Sequence, residues 1–263
     1  MHVLTTSAPP WVPAPKGGIQ CTLRTLVFSD NYDSMPATLF LFDLDGTLTR
    51  REILPELAAQ LDLDEEIRLL TRLTLEGVLG FPQSLRLRFA VLRILPLRTI
   101  HEIIAAIPLE PALEEFIRAR PKQCALATGN VDAWIRPIVT RLGCTAYCTR
   151  STFPETAQDG TEEDIPPTEQ RLLHILDKGE LARSLKRTHR LVVVGDSDND
   201  LPMLREADIS IAFSAAHAPL PQVCSAATYM ARHAGELRRL LEHLASIGED
   251  QLLCLPDWAS QAG

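Results

Sequence analysis

Residues 39–42 read Leu-Phe-Leu-Phe, an unbroken apolar run that stops at Asp43. A short continuous run suits a strand buried on both faces, as in a parallel sheet, better than the alternating pattern of a half-exposed strand. The same grammar returns in CALATGN at 124–130 and RLVVVGDSDND at 190–200, each closing in small and polar residues ahead of a helical pattern. Repeated strand, Gly-containing loop and helix predict a doubly wound parallel α/β sheet whose strand ends open on one crevice. Between the first two strands, LPELAAQL, DEEIRLLTRLTLEG, PQSLRLRFAVLRIL and LRTIHEIIAAI space apolar residues three and four apart, and several open on Pro or Asp. A stretch that long exceeds a simple crossover and predicts a small helical cap, inserted after the first strand and able to cover the crevice as a lid. PALEEFIRAR then predicts a helix returning to the core, HILDKGELARSLK another, and GELRRLLEHLASI a last one, while TFPETAQDGTEEDIPPTEQ is expected to hold a hairpin or loop. The expected organisation is an arm at 1–37, a core from 38–50 and 108–250, a cap at 51–107 and a tail at 251–263.

Composition narrows the function classes. The 263 residues are 46% hydrophobic and 23% charged, which suits one sizeable core with a smaller lobe. No apolar run reaches the roughly 18 residues of a membrane span, so a soluble protein without a membrane partner is expected. The net charge of −8 opposes nucleic acid, whose phosphates are bound by clustered Lys and Arg. A small phosphorylated metabolite would have to be held by local positive groups or a metal. The cysteines at 21, 124, 144, 148, 224 and 254 are scattered, and no charged-then-apolar signal segment opens the sequence. A reducing, cytoplasmic compartment is therefore expected. Cys144 and Cys148 have the spacing of half a metal site, but without a second pair or a nearby His they read as plain thiols. Residues 1–37 include SAPPWVPAPKGG and a short strand-like CTLRTLVF, a composition poor at packing a core of its own, and Met35 would be a natural start.

The candidate chemistry begins at Asp43 and Asp45, which straddle Leu44 at a strand end, with Gly46 allowing the chain to turn so that both carboxylates stay near one small volume. Like charges that close are costly without compensation, and Mg2+, with its preference for hard oxygen ligands, supplies it. The GDSDND run adds Asp196 as a direct ligand and Asp200 as support one helical turn later. A metal held by aspartates beside a free carboxylate suits phosphoryl transfer. Asp43 can attack phosphorus and form an aspartyl phosphate, and Asp45 can protonate the leaving alkoxide and then deprotonate the hydrolytic water. For that its pKa must rise from an unperturbed value of about 3.9. Thr128, Gly129 and Asn130 can offer hydroxyl and backbone N–H donors to a phosphate, and Lys178 a point charge, although a lone lysine in LDKGEL is more often a solvated helix residue.

The ordered set DLDGT, TGN, DKG and GDSDND resembles the four motifs of the haloacid dehalogenase superfamily of phosphatases and phosphotransferases over residues 38–232. The resemblance implies a Rossmann-like core, Asp43 as nucleophile, Asp45 as acid/base, Thr128 and Lys178 as phosphate ligands, and Mg2+ on Asp43, the main-chain carbonyl of Asp45 and Asp196. TRREILPELAAQLDL and LTLEGVLGFPQSLRLRFAVL resemble the cap of phosphoserine phosphatases. That similarity implies Glu52 for an amino group, Arg86, following F-x-x-S-L, for a carboxylate, and Phe81 as an apolar wall. An acid for an ammonium and a bidentate guanidinium for a carboxylate are what a zwitterionic head group requires. The bland alternative pairs Glu52 with Arg50 or Arg51 and leaves Arg86 and Arg93 on a solvated helix face. Two departures stand out: Thr128-Gly129-Asn130 in place of the usual Ser-Gly-Gly, which narrows the space beside the phosphate and adds an Asn130 amide that as a substrate-binding group could reach a different leaving group, and a poor fit of Thr149–Gln170 to the usual D-G-x-x-x-G hairpin. The expected function is Mg2+-dependent hydrolysis of O-phosphoserine in serine biosynthesis. The alternatives are transfer to a small alcohol such as homoserine, hydrolysis of another small phosphorylated metabolite, or a non-catalytic binding protein, which the intact motif set opposes.

Overall fold

In the computed structural model, residues 36–75, 78–152, 170–216 and 218–246 are described. The apolar run of the opening strand dictates its place: Phe40, Leu41 and Phe42 are fully buried, and β1 (Thr38–Phe42) lies at the centre of a seven-stranded sheet. On one side follow β2 (Cys124–Val131), β3 (Thr145–Thr152) and β4 (Arg171–His174); on the other, β5 (Arg190–Gly195), β6 (Ile209–Ala212) and β7 (Tyr229–Met230). All neighbours are parallel except β4, which runs antiparallel to β3. The chain therefore leaves β1 in both directions, and the carboxyl end of β1 is the switch point at which an open α/β sheet presents its crevice.

Between β1 and β2 come four helices, α1 (Ile53–Ala58), α2 (Asp64–Leu75), α3 (Phe81–Leu92) and α4 (Leu97–Ala106), and α5 (Pro111–Ala119) carries the chain back to the sheet. The two connecting segments are tied to each other: Glu110 N–H donates to Leu48 O at 2.8 Å and Arg50 N–H to Pro108 O at 3.3 Å. The Arg50 guanidinium adds Nε and Nη2 bonds to Glu110 Oε2 at 3.2 and 2.7 Å. Beneath the sheet α5 inserts Phe116 edge-on against Phe40, with centroids 5.2 Å apart. On the cap side, Phe89 of α3 stacks on Trp134, which follows β2, at 5.5 Å.

The remaining helices are α6 (Arg136–Leu142), α7 (Lys178–Leu185), α8 (Leu201–Glu206), α9 (Pro221–Ala226) and α10 (Ala234–Ser246). One expectation is corrected here. The helix read in HILDKGELARSLK begins only at Lys178, where the Asp177 side chain accepts from Glu180 N–H at 2.9 Å and caps it; Arg171–His174 is the strand β4. Residues 153–169, CTLRTLVF and the segment 251–263 lie outside the described residues. No described helix is long and apolar enough to cross a membrane. Cys124, Cys144, Cys148 and Cys224 are free thiols, and burial pushes the Cys144 and Cys124 thiols up to about 11 and 12.

Candidate active site

Directly after β1, Asp43 is buried and its N–H is held by Val194 O of β5 at 2.9 Å. The turn that follows depends on Gly46, whose φ of +80° favours glycine and where a Cβ would collide with the Asp196 carboxylate. Its carbonyl accepts from Ser214 Oγ at 2.8 Å and Ala215 N–H at 2.6 Å, fastening the loop to the end of β6. Thr47 donates its hydroxyl to Asp196 Oδ1 at 3.3 Å, a contact that nothing in the motif itself announces. Asp45 is gripped from two sides: Oδ1 accepts from the N–H of Ile53, the first residue of α1, at 2.8 Å, and Oδ2 accepts from Asn130 Nδ2.

Asn130 reaches that position through an irregularity in β2. Thr128 pairs with Cys148, yet Val131 pairs with the very next residue of β3, Thr149, so Gly129 and Asn130 are extra on their strand. Such a bulge re-aims side chains at a sheet end. Thr128 Oγ1 accepts from both Asn130 N–H at 3.1 Å and Nδ2 at 3.0 Å, and Gly129 lies beneath the Phe81 ring with no room for a Cβ. At the end of β5, Asp200 Oδ2 accepts from the N–H groups of Asp196 and Ser197 at 3.0 Å each and from Ser197 Oγ at 3.1 Å, which shapes the turn into α8. Lys178 is not a solvated helix residue. It is buried, and Nζ donates to Asp43 Oδ1 and, at 2.6 Å, to Asp200 Oδ1.

Asp43, Asp196 and Asp200 each bring a carboxylate oxygen to within 4.8 Å of the others, a buried set able to hold a metal ion. One lysine faces three carboxylates, so the cluster lacks positive charge. Burial first, and the Asp200 charge second, lift the Asp43 carboxyl above the ordinary range against the pull of Lys178; burial and the Asp43 charge do the same to Asp196. Burial pushes Asp45 up to about 6, against the opposing hydrogen bonds from Ile53 and Asn130. Burial works against the Lys178 ammonium, but the Asp200 and Asp43 charges more than offset it and hold the group protonated. An all-oxygen, charge-deficient donor set fits a hard divalent cation, whereas Cys144 and Cys148 join no such cluster among the described residues.

Over these groups lies a cavity of about 90 Å³, with Asp43, Asp45, Thr128, Gly129 and Asn130 on the core side and Leu54, Phe81, Leu85 and Arg88 on the cap side. Ser197 and Asn199 complete the rim, and neither was anticipated. The arginine is also a correction. Arg86 is exposed and does not reach the cavity, whereas Arg88 is buried and lines it. On α3, Phe81, Ser84, Leu85 and Arg88 stand at i, i+3, i+4 and i+7 and share one face, which Arg86 does not. Arg88 Nη2 donates to Ser84 Oγ at 2.7 Å and Thr74 Oγ1 at 3.4 Å, while its buried Nε has no hydrogen-bond partner among the described residues. Glu52 is exposed at the N-cap of α1, and its charge acts on both Asp45 and Arg88. Arg50 and Arg51 pair instead with Glu110 and, at 3.3 Å, with Glu56.

A family model described as haloacid dehalogenase-like hydrolase matches residues 40–205, and a second of the same description matches 180–236. A phosphoserine phosphatase of Methanocaldococcus jannaschii is 31% identical over 186 residues, 67% of this chain and 85% of that protein. The Saccharomyces cerevisiae phosphoserine phosphatase is 29% identical over 72% of this chain and 63% of its own. The chain spans 52% of the Archaeoglobus fulgidus relative. Among solved structures, a phospho-aspartyl intermediate analogue of phosphoserine phosphatase superimposes with a TM-score of 0.61 at 25% identity, covering 80% of this chain and 99% of that one. With the motif residues gathered at one switch point and the family model spanning most of the core, the chain belongs to the haloacid dehalogenase-like hydrolases and is phosphoserine phosphatase-like.

Proposed function

We propose that this phosphatase hydrolyses O-phosphoserine with Mg2+, through an aspartyl phosphate on Asp43, in the cytoplasmic setting of serine biosynthesis. The observation that carries the reading is the cavity itself, which has Asp43, Asp45 and Thr128 on its core wall and the buried Arg88 on its cap wall. Asp43 and Asp196, with the main-chain carbonyl of Asp45, are the groups that would hold Mg2+. Asp200, whose two oxygens already serve Lys178, Asp196 and Ser197, would support them. When bound, the ion supplies positive charge to the phosphoryl oxygens and relieves the crowding of carboxylates.

The rest is the work of the side chains. Asp43 forms its bond to phosphorus as the ester P–O bond breaks, and Asp45 gives its proton to the departing serine oxygen. Water then attacks the aspartyl phosphate, Asp45 takes the water's proton, and Asp43 is released with inorganic phosphate. Lys178 keeps a positive charge beside Asp43 and the transferring group, and the Thr128 hydroxyl with the Gly129 N–H holds phosphoryl oxygens. Phe81 closes the cavity over Gly129, Arg88 takes the substrate carboxylate, and Glu52 faces its ammonium. The test is a steady-state screen of phosphorylated metabolites with Mg2+, with acceptor alcohols added to detect transfer. O-phosphoserine should have the highest kcat/KM, with phosphate rather than a new ester as product. Preference for a substrate lacking a carboxylate would overturn the assignment.

A further inference from the structure

The grip on Asp45 has two halves of different origin. One oxygen is held by the N–H of Ile53, at the start of the cap's α1, and the other by the side chain of Asn130, from the bulged end of β2 in the core. Asn130 is itself immobilised. It is 3% exposed, and one amide nitrogen supplies a proton to Asp45 Oδ2 and the other proton to Thr128 Oγ1. Both amide protons are thereby used, and a flipped amide would set its oxygen against a carboxylate. Each Asp45 oxygen keeps a second lone pair for the proton it must carry.

We infer that Asn130 is a positioning residue: it orients Asp45 for proton delivery to the leaving oxygen from the core side, so that this alignment does not rest on the cap's Ile53 alone. The inference rests on the proposed phosphomonoester hydrolysis with Asp45 as the acid. Without the Asn130 amide the carboxylate is anchored at one oxygen only and turns about its side-chain torsions. A misplacement of about 1 Å in a reacting group costs roughly 100-fold in rate. That loss falls on esters whose leaving alkoxide needs a proton and spares those whose leaving group departs as a stable anion.

The experiment compares kcat/KM for O-phosphoserine with kcat/KM for p-nitrophenyl phosphate on the same enzyme sample, for the wild type, Asn130→Ala and the near-isosteric Asn130→Leu. This parameter reports the steps through departure of the leaving group, and the ratio of the two values does not depend on how much of the sample is folded. The expected result is a fall in the ratio of about tenfold or more in both variants. An unchanged ratio, with both substrates losing or keeping activity together, would overturn the inference. Failure of the underlying reading looks different, because the wild type itself would then not hydrolyse O-phosphoserine.

Discussion

Two arginines two residues apart have opposite fates, and helical period decides between them. Arg88 shares the face of Phe81 and Leu85 and lines the cavity, its buried Nε without a hydrogen-bond partner among the described residues, while Arg86 is exposed. Hydrogen bonds to charged groups contribute about 1.5–3 kcal/mol, so Arg88→Ala should raise KM for O-phosphoserine by roughly 10- to 150-fold. Arg86→Ala should leave it within about twofold, since an exposed charge at a distance is screened. Steady-state kinetics on the two variants checks both. The face could have been read from the sequence, because Phe81, Ser84, Leu85 and Arg88 carry the i, i+3, i+4, i+7 signature; counting along a linear motif instead led to Arg86. That Asp43 and Asp196 meet was legible because each follows a continuous apolar run, and such runs become neighbouring strands of one parallel sheet. The Asn130 contact with Asp45 was not, since it depends on a register slip between β2 and β3 that leaves no mark in composition.

Among the elements, α3 carries the cap wall and is anchored to the core at its far end. Phe89 stacks on Trp134, whose indole N–H donates to Gln170 Oε1 at 3.0 Å; Gln170 Nε2 in turn donates to Ser151 Oγ at 2.8 Å, and Arg93 donates to the Gln170 carbonyl at 3.0 Å. Trp134 is fully buried, so Trp134→Ala should cost about 3–5 kcal/mol from lost burial and the cavity left behind. Gln170→Leu should cost about 1–3 kcal/mol by leaving the buried indole N–H without its acceptor, while the Ser151 hydroxyl keeps its bond to Asp132 Oδ1 at 2.6 Å. Chemical denaturation of both variants measures this, and a loss under 1 kcal/mol for Trp134→Ala would show that the stack holds nothing in place. The cap helices were legible from their period and the central strands from their apolar runs. β3 and the edge strand β4 were not, because their faces are partly solvated and the burial of TAYCTRST and RLLH is mixed. The helix read in HILDKGELARSLK overlaps β4 only at His174 and runs four residues ahead of the true start at Lys178.

At the scale of the whole molecule, the site's chemistry works against its stability. Asp43, Asp45 and Asp196 bind protons more tightly when folded than an ordinary carboxylate with its value of 3.8. As pH rises above about 4 the unfolded chain releases protons that the folded chain keeps, so metal-free stability falls as pH rises. The fall continues through about 6, where Asp45 ionises, and beyond it for the other two. Thermal melts without metal should therefore show a lower Tm at pH 8 than at pH 5.5. Mg2+ competes with the same protons, so it should raise Tm more at pH 8, with roughly 2.7 kcal/mol available at a hundredfold excess over its Kd. Equal Mg2+ effects at both pH values would count against the acidic cluster as the metal site. The fold class was legible as a whole because three strand-loop-helix repeats imply one switch point, and the residues that meet there come from four separate motifs. The most direct measurement is release of inorganic phosphate from O-phosphoserine in the presence of Mg2+, by the wild type and by Asp43→Asn shown to melt cooperatively. The expected result is Mg2+-dependent turnover by the wild type and a loss of at least about 1000-fold in the variant; turnover that survives the substitution would contradict Asp43 as the nucleophile.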